Sequence, residues 1–279
     1  MREIIRRFTT ARYYSQIFNK NSNNINALLD ILADEKSKIT FIGILKAYTS
    51  FFRKPYYYFS NIADSMCNSF HFITKDGYKV YGTENPYFLK EIFPLDRDMV
   101  YLDGGAYIGD TIELLFKVLS GPCKYTYAFE PNDDNFHKIE KLSEKYTGYI
   151  SCYNAGLDRQ NGTVFFMKDD AGSRIVDDGA EKIEVVNIGD FLNNLTNNLP
   201  TFIKLDIEGK EPDVIDSMSA YIKKHSPDLA ISIYHKLEDL WQIPLQIHKI
   251  NPEYKIYIRH QSNYYTETVC YATIKNGEN

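Results

Sequence analysis

The chain has 279 residues, 44% hydrophobic and 25% charged, with a formal net charge of −5, a composition that suits a globular protein with a sizeable core and excludes disordered and fibrous classes. Acidic residues outnumber basic ones by 37 to 32 without any long Lys/Arg block, which argues against nucleic acid as the partner. No apolar run reaches the roughly 18 residues of a membrane span, and Cys67, Cys123, Cys152 and Cys270 are spaced as reduced thiols rather than as a zinc or disulfide framework.

The amino terminus, MREIIRRFTTARYYSQIFNK, carries charge throughout and lacks the apolar core of a signal peptide, so a cytoplasmic location is expected. It reads as a docked or frayed helix; contact of Arg2, Arg6, Arg7 and Arg12 with an anionic membrane surface is the less favoured alternative. From 24 to 52, Leu28, Leu29, Leu32, Phe41, Ile42, Leu45 and Tyr48 recur at helical intervals and predict one or two amphipathic helices. In HFITKDGYKVYG an Asp-Gly pair between β-prone runs predicts a hairpin. Pro86 and Pro94 then punctuate the chain, so residues 1–95 are expected to form a helical appendage with a hairpin, available for substrate or homodimer contacts.

Residues 96–279 change pattern. Strand-like MVYLD, YTYAFE, YISCYNAG, TFIKLDIEG and DLAISIYHK alternate with helix-like stretches, apart from a TVFFMK ribbon. Such alternation predicts an α/β fold with a parallel sheet covered on both faces. The last two β runs, YKIYIRHQ and TETVCYATI, are separated only by SNYY, too short for a parallel crossover, so they are expected to pair as an antiparallel terminal hairpin.

Ligands of open parallel sheets bind beyond the carboxyl ends of the strands, where strand order reverses. The polar residues at those ends are Asp103, Glu130, Asn154, Asp206 with Glu208, and His235 with Lys236. In VYLDGGAYIGDT, Gly104, Gly105 and Gly109 permit a tight turn and close approach of a ligand. Ala106 breaks the dinucleotide G-x-G-x-x-G pattern, and Asp103 ahead of the turn would repel a pyrophosphate. A cationic ligand such as S-adenosylmethionine fits better, with Glu130 placed to accept from its ribose hydroxyls. The same carboxylate would also suit NAD, or serve at a helix start.

The motifs VYLDGGAYIGDT, YAFEPN, NAGLDRQNGTVFF, FIKLDIEGKEPDVI, LAISIYHKLEDLWQIP and YKIYIRHQSNYYTETVCYA, in that order, resemble the FkbM-type S-adenosylmethionine-dependent methyltransferases over about residues 99–274. The resemblance implies a Rossmann-like methyltransferase fold preceded by the helical appendage, and methyl transfer to a hydroxyl of a sugar or small metabolite. It further implies Asp103, Gly105 and Asp110 around the methionine portion of the cofactor, Glu130 at the ribose, and residues from Asn154 and Ala155 to Leu157 bordering adenine. Asp110 equally suits the cap of the following helix, with Glu113 completing a capping box.

Methyl transfer to oxygen needs in-line positioning and a base near the acceptor. Asp206, Glu208 and His235 are the candidates, Asp206 and Glu208 sharing a face if their strand continues. A magnesium site from the same three residues is the minor alternative, and no metal is expected. Lys236, Arg259 and His260 are the candidate substrate contacts, Arg259 for an anionic group, with Tyr264 and Tyr265 beside them. The polar loop DDAGSRIVDDGAEK reads as a cover or an ordinary exposed loop. The rival readings are an NAD(P)-dependent oxidoreductase and a cofactor-binding assembly module without catalysis.

Overall fold

The computed structural model describes residues 2–49, 59–64, 69–74, 79–81, 85–167, 174–176, 181–262, 266–275 and 277. Helices α1 (Arg2–Lys20), α2 (Ser22–Ile31) and α3 (Glu35–Thr49) open the chain. The helical periodicity between 24 and 52 thus resolves into two helices, broken where Leu32 bridges Ile256 and the Ala33 N–H donates to the Ile256 carbonyl at 2.8 Å. Asp34 caps α3, its carboxylate accepting from the Ser37 N–H at 2.8 Å.

Strands β1 (Phe59–Asp64), β2 (Ser69–Thr74) and β3 (Lys79–Tyr81) form a small antiparallel sheet. Ile73 stands opposite Lys79, as the intervening Asp-Gly pair predicts; the turn itself lies outside the described residues. The α/β pattern follows as β4 (Val100–Gly104), α4 (Asp110–Val118), β5 (Tyr125–Phe129), α5 (Asp133–Lys145) and β6 (Ile150–Tyr153). Next come β7 (Gly156–Asp158), β8 (Gly162–Met167), β9 (Arg174–Val176), β10 (Glu181–Asn187) and α6 (Ile188–Asn194). The chain ends with β11 (Phe202–Leu205), α7 (Glu211–Ser217), α8 (Ser219–His225), β12 (Asp228–Ser232), α9 (Asp239–Ile250), β13 (Lys255–His260) and β14 (Thr268–Thr273).

The main sheet runs β13-β14-β12-β11-β4-β5-β6. Its first strand in sequence, β4, is flanked by β5 and β6 on one side and by β11 and β12 on the other, all parallel. The crevice between β4 and β11 is therefore the switch point at which ligands of such sheets bind. The expected terminal hairpin is present, and β14 slots between β12 and β13, antiparallel to both. A second sheet, β7-β10-β8-β9, stands beside it. The single run YISCYNAG divides, because the chain leaves the main sheet after Tyr153 and β7 pairs instead with β10. EPDVIDSMSAYIKKHS also divides, at Met218, where the Ser217 carbonyl meets Gly189 of α6 so closely that a Cβ on Gly189 would lie 2.1 Å from it.

Alternation along the strands feeds two cores. Leu102, Ile203, Ile231 and Ile258 pack with Leu28, Phe41, Ile44, Ile222 and Trp241, while Tyr101, Ala128, Phe202 and Tyr271 pack with Phe88, Phe93, Ile112, Leu115 and Ile139. Helices α2 and α3 are thus built into one face of the sheet, and residues 87–93 into the other.

Candidate active site

The turn after β4 depends on one glycine. Gly105 has φ +73°, and a Cβ there would lie 1.9 Å from the Asp206 carbonyl oxygen, so no side chain fits between β4 and β11. The Gly105 and Ala106 N–H groups both donate to the Phe129 carbonyl at 3.0 Å, tying the turn to β5. Gly104 packs beneath, with Leu205 and Leu157 filling the space a Cβ would take. The alternative capping box at Asp110 does not form: Gly109, at φ +84°, precedes α4, Asp110 is its first residue, and Glu113 pairs with Lys145 at 3.2 Å. That left-handed entry leaves Asp110 on the wall of the neighbouring cavity.

Asp103 does not reach that cavity. It is fully buried and meets Lys204 Nζ at 2.9 Å; the same ammonium donates to the carbonyls of Gly105 at 2.7 Å and Gly104 at 3.3 Å. Burial raises the Asp103 pKa, and Lys204 only partly offsets it. Burial works against the Lys204 charge too, but Asp103 and Asp206 outweigh it and raise the lysine's pKa. The pair clamps the glycine turn from beneath, and Lys204 also reaches the cavity wall.

A cavity of about 770 Å³ opens over the carboxyl ends of β4, β5 and β11, within the usual range for small-molecule sites. Glu130, 6% exposed, lines it, its carboxylate aimed by the N–H groups of Tyr107 and Asn132, each donating at 2.9 Å. Burial pushes the Glu130 pKa up to about 7, against the pull of those two donors. Asn132, rather than Glu130, caps α5, accepting from the Asn135 N–H at 3.2 Å. Ala155, Gly156, Leu157, Phe166 and Ile183 form an apolar wall nearby. Asn154 stays outside, exposed, its amide donating to Asp133 at 2.6 Å.

Asp206, Glu208, Glu267 and Tyr87 line the same cavity. β11 stops at Leu205, and Glu208 has φ +58°, so a loop rather than a continued strand brings the two carboxylates together. Asp206 accepts hydrogen bonds from the Tyr87 hydroxyl at 3.0 Å and the Tyr234 hydroxyl at 3.1 Å. His235 stands behind the wall with its side chain 8% exposed, Nε2 lying 3.3 Å from Asp206 and 3.4 Å from Glu208, and Nδ1 3.1 Å from Glu211. Burial works against its charge, but the flanking carboxylates of Asp206 and Glu211 prevail and push its pKa up to about 11. Burial would raise the Asp206 pKa, yet His235 and Lys204 hold it well below the carboxylate range. Burial, reinforced by Asp206, pushes Glu267 up to about 6.

The three expected substrate contacts are engaged elsewhere. Lys236 donates from Nζ to the Gly209 carbonyl at 2.6 Å. Arg259, 1% exposed, meets Asp34 at 2.7 Å and Glu91 at 2.9 Å and donates to Ser37 Oγ at 2.9 Å, because β13 lies against α3 and the 85–98 segment rather than at the switch point. His260 is buried with Nδ1 2.8 Å from the Thr268 hydroxyl. Tyr264, Tyr265, Cys67 and residues 169–173 and 177–180 of the expected cover lie outside the described residues. Among the described cysteines, Cys123, Cys152 and Cys270 are free thiols.

Sequence reasoning missed Tyr87, Lys204, Glu211, Tyr234 and Glu267. Lys204 carried a signal, a lone charge within the apolar strand FIKL. Tyr87 carried none, since it reaches Asp206 across 119 positions.

The mostly parallel seven-stranded sheet, its switch-point cavity and its antiparallel terminal strand define a Rossmann-like methyltransferase fold. The chain belongs to the methyltransferase FkbM domain family, whose profile matches residues 103–256, more than half of it. It is similar to a solved structure, methyltransferase FkbM from Methylobacillus flagellatus KT, with a TM-score of 0.69 and 23% identity, over 92% of this chain and 60% of that one. It is also similar to the hexuronic acid methyltransferase AglP of Haloferax volcanii, at 24% identity over 97 residues, 33% of this chain and 41% of AglP. The chain thus spans less than two thirds of either relative's length. No helix among the described residues is long and apolar enough to cross a membrane.

Proposed function

We propose that the protein is an S-adenosylmethionine-dependent O-methyltransferase acting on a hydroxyl of a sugar or other small polyol-like metabolite. The observation that carries this reading is one continuous cavity lined both by the Gly105 turn with Glu130 and by Asp206, Glu208 and Glu267. The cofactor fits the residues present: Gly105 lets the turn after β4 pack on the Asp206 carbonyl and line the cavity, and the oriented Glu130 carboxylate retains lone pairs for a ribose diol. When bound, S-adenosylmethionine supplies an electrophilic methyl group.

Among the described residues, the cavity wall carries six carboxyl side chains, Asp110, Glu130, Asp134, Asp206, Glu208 and Glu267, against two lysines, Lys138 and Lys204. Lys204 is already committed to Asp103. This balance favours a cationic donor and a neutral hydroxyl acceptor over an anionic group at the reacting end. A sugar acceptor also accords with the name of the AglP relative.

In this reading the Tyr87 and Tyr234 hydroxyls hold Asp206 so that its carboxylate orients the acceptor O–H. The acceptor oxygen would take the methyl group as its bond to the donor's sulfur breaks, releasing S-adenosylhomocysteine; the hydroxyl proton would pass to a cavity carboxylate, and Glu208, more exposed than Asp206, would relay it to solvent. His235 serves as a positioning residue behind Asp206, because both ring nitrogens face carboxylates and it does not line the cavity. The test is calorimetric titration with S-adenosylmethionine and S-adenosylhomocysteine, followed by mass spectrometry of metabolite extracts incubated with methyl-labelled donor. Binding of both and a labelled hydroxyl product are expected; no binding by folded protein refutes the reading.

A further inference from the structure

We propose that Asp206, Glu211 and His235 bind one divalent transition-metal cation at the acceptor end of the cavity. One oxygen or nitrogen from each of the three lies within 4.8 Å of the others. The imidazole can offer one nitrogen to an ion: Nε2 lies 3.3 Å from Asp206, and Nδ1, on the other side of the ring, lies 3.1 Å from Glu211. Donors held at about 2.0 to 2.2 Å from one ion stand roughly 3 to 4.4 Å apart, so a small contraction and ring rotation complete a site.

A second observation points to a ligand. Glu211 is 0% exposed; its Oε1 accepts from the Ile207 N–H at 2.8 Å, but Oε2 has no hydrogen-bond partner. Both His235 ring nitrogens are likewise buried without a hydrogen bond of proper geometry, although carboxylates surround them. Buried polar groups are costly unless matched. Three carboxylates, Asp206, Glu208 and Glu211, converge on this one imidazole, and a ring that binds a metal gives up its extra proton, so the group then carries three negative charges. A divalent cation offsets two of the three.

The donor set narrows the ion. An imidazole with carboxylates suits Mn²⁺, Fe²⁺ or Zn²⁺, whereas magnesium prefers oxygen alone. With one ring nitrogen on the metal, a carboxylate at the other would orient the ring, as outer-shell carboxylates do for metal-bound histidines. Asp206 faces the cavity, so an acceptor hydroxyl can reach the ion there and become more acidic, its proton passing to a neighbouring carboxylate.

The role given to the ion rests on the acceptor reading above; its binding does not. Full-length protein freed of metal by a chelator is titrated with Mn²⁺, without donor or acceptor, and followed by electron paramagnetic resonance. One bound Mn²⁺ with nitrogen couplings from an imidazole is expected in the native chain, weakened at least 30-fold in Glu211→Gln and His235→Gln. S-adenosylhomocysteine affinity should stay within threefold in both variants, since the donor's end of the cavity is separate. Absence of Mn²⁺ binding, or bound Mn²⁺ without nitrogen coupling, overturns the proposal even if neither variant folds. Mn²⁺ bound as described in a chain that never binds S-adenosylhomocysteine would support the metal site while refuting the methyltransferase reading.

Discussion

Glu130 ties cofactor affinity to pH in a way that can be worked from the structure. Its pKa is pushed up to about 7 by burial, and a ribose diol that donates two hydrogen bonds needs the carboxylate form. About one part in eleven is ionised at pH 6 and about ten in eleven at pH 8, so affinity for S-adenosylhomocysteine should rise about tenfold over that range, about 1.4 kcal/mol. The sign follows from the upward shift: the folded chain holds an extra proton between the usual carboxylate range and pH 7, so without ligand this group's contribution to stability falls as pH rises through that window. Calorimetry at pH 6, 7 and 8, in buffers of different ionisation enthalpy, reads both the affinity and the proton released on binding near pH 6. Glu130→Gln should bind more weakly at pH 8 and flatten the profile. A flat wild-type profile, or a variant that keeps the tenfold slope, refutes the assignment of Glu130 to the ribose.

Gly105→Ala should abolish S-adenosylhomocysteine binding or destabilise the chain by more than the roughly 1 to 2 kcal/mol of a left-handed conformation alone, because its Cβ collides with the Asp206 carbonyl; titration and urea unfolding separate the two. Lys204→Met strands the buried Asp103 charge and should cost about 3 to 5 kcal/mol in urea unfolding. Arg259→Met should cost about 3 kcal/mol in the same assay and leave the acceptor KM unchanged; a selective rise in KM at unaltered stability would restore Arg259 to the substrate. Asp206→Asn should lower kcat at least 100-fold with cofactor affinity within threefold, and an intact kcat would remove Asp206 from the reaction.

What could be read from the sequence was what local pattern encodes. The β/α alternation, the antiparallel hairpin forced by the SNYY connection and the glycine turn at Gly105 all follow from spacing and backbone freedom. Glu130 and Asp206 reach the cavity because strand-end position places them there, while Glu208 reaches it from the loop after β11. Arg259 shows what spacing omits: it sits at a strand end as a substrate contact would, yet its neighbours are Asp34 and Glu91, 225 and 168 positions away. His235 was chosen for the ordinary pKa of imidazole, but three carboxylates drawn from one loop and a helix start change its charge state.

The Arg259 contact also has a kinetic meaning. A chain emerging from the ribosome exposes Asp34 and Glu91 long before it makes Arg259, so α3 and the 85–98 segment wait for their shared counter-charge until β13 is synthesised. Contacts of such long sequence separation form late and slow folding. The last strands therefore act as a latch: a nascent or carboxy-terminally truncated chain lacking β13 and β14 carries the whole glycine turn but leaves Asp34 and Glu91 without Arg259 and the core without Ile256 and Ile258, and it should be the species that chaperones and proteases recognise.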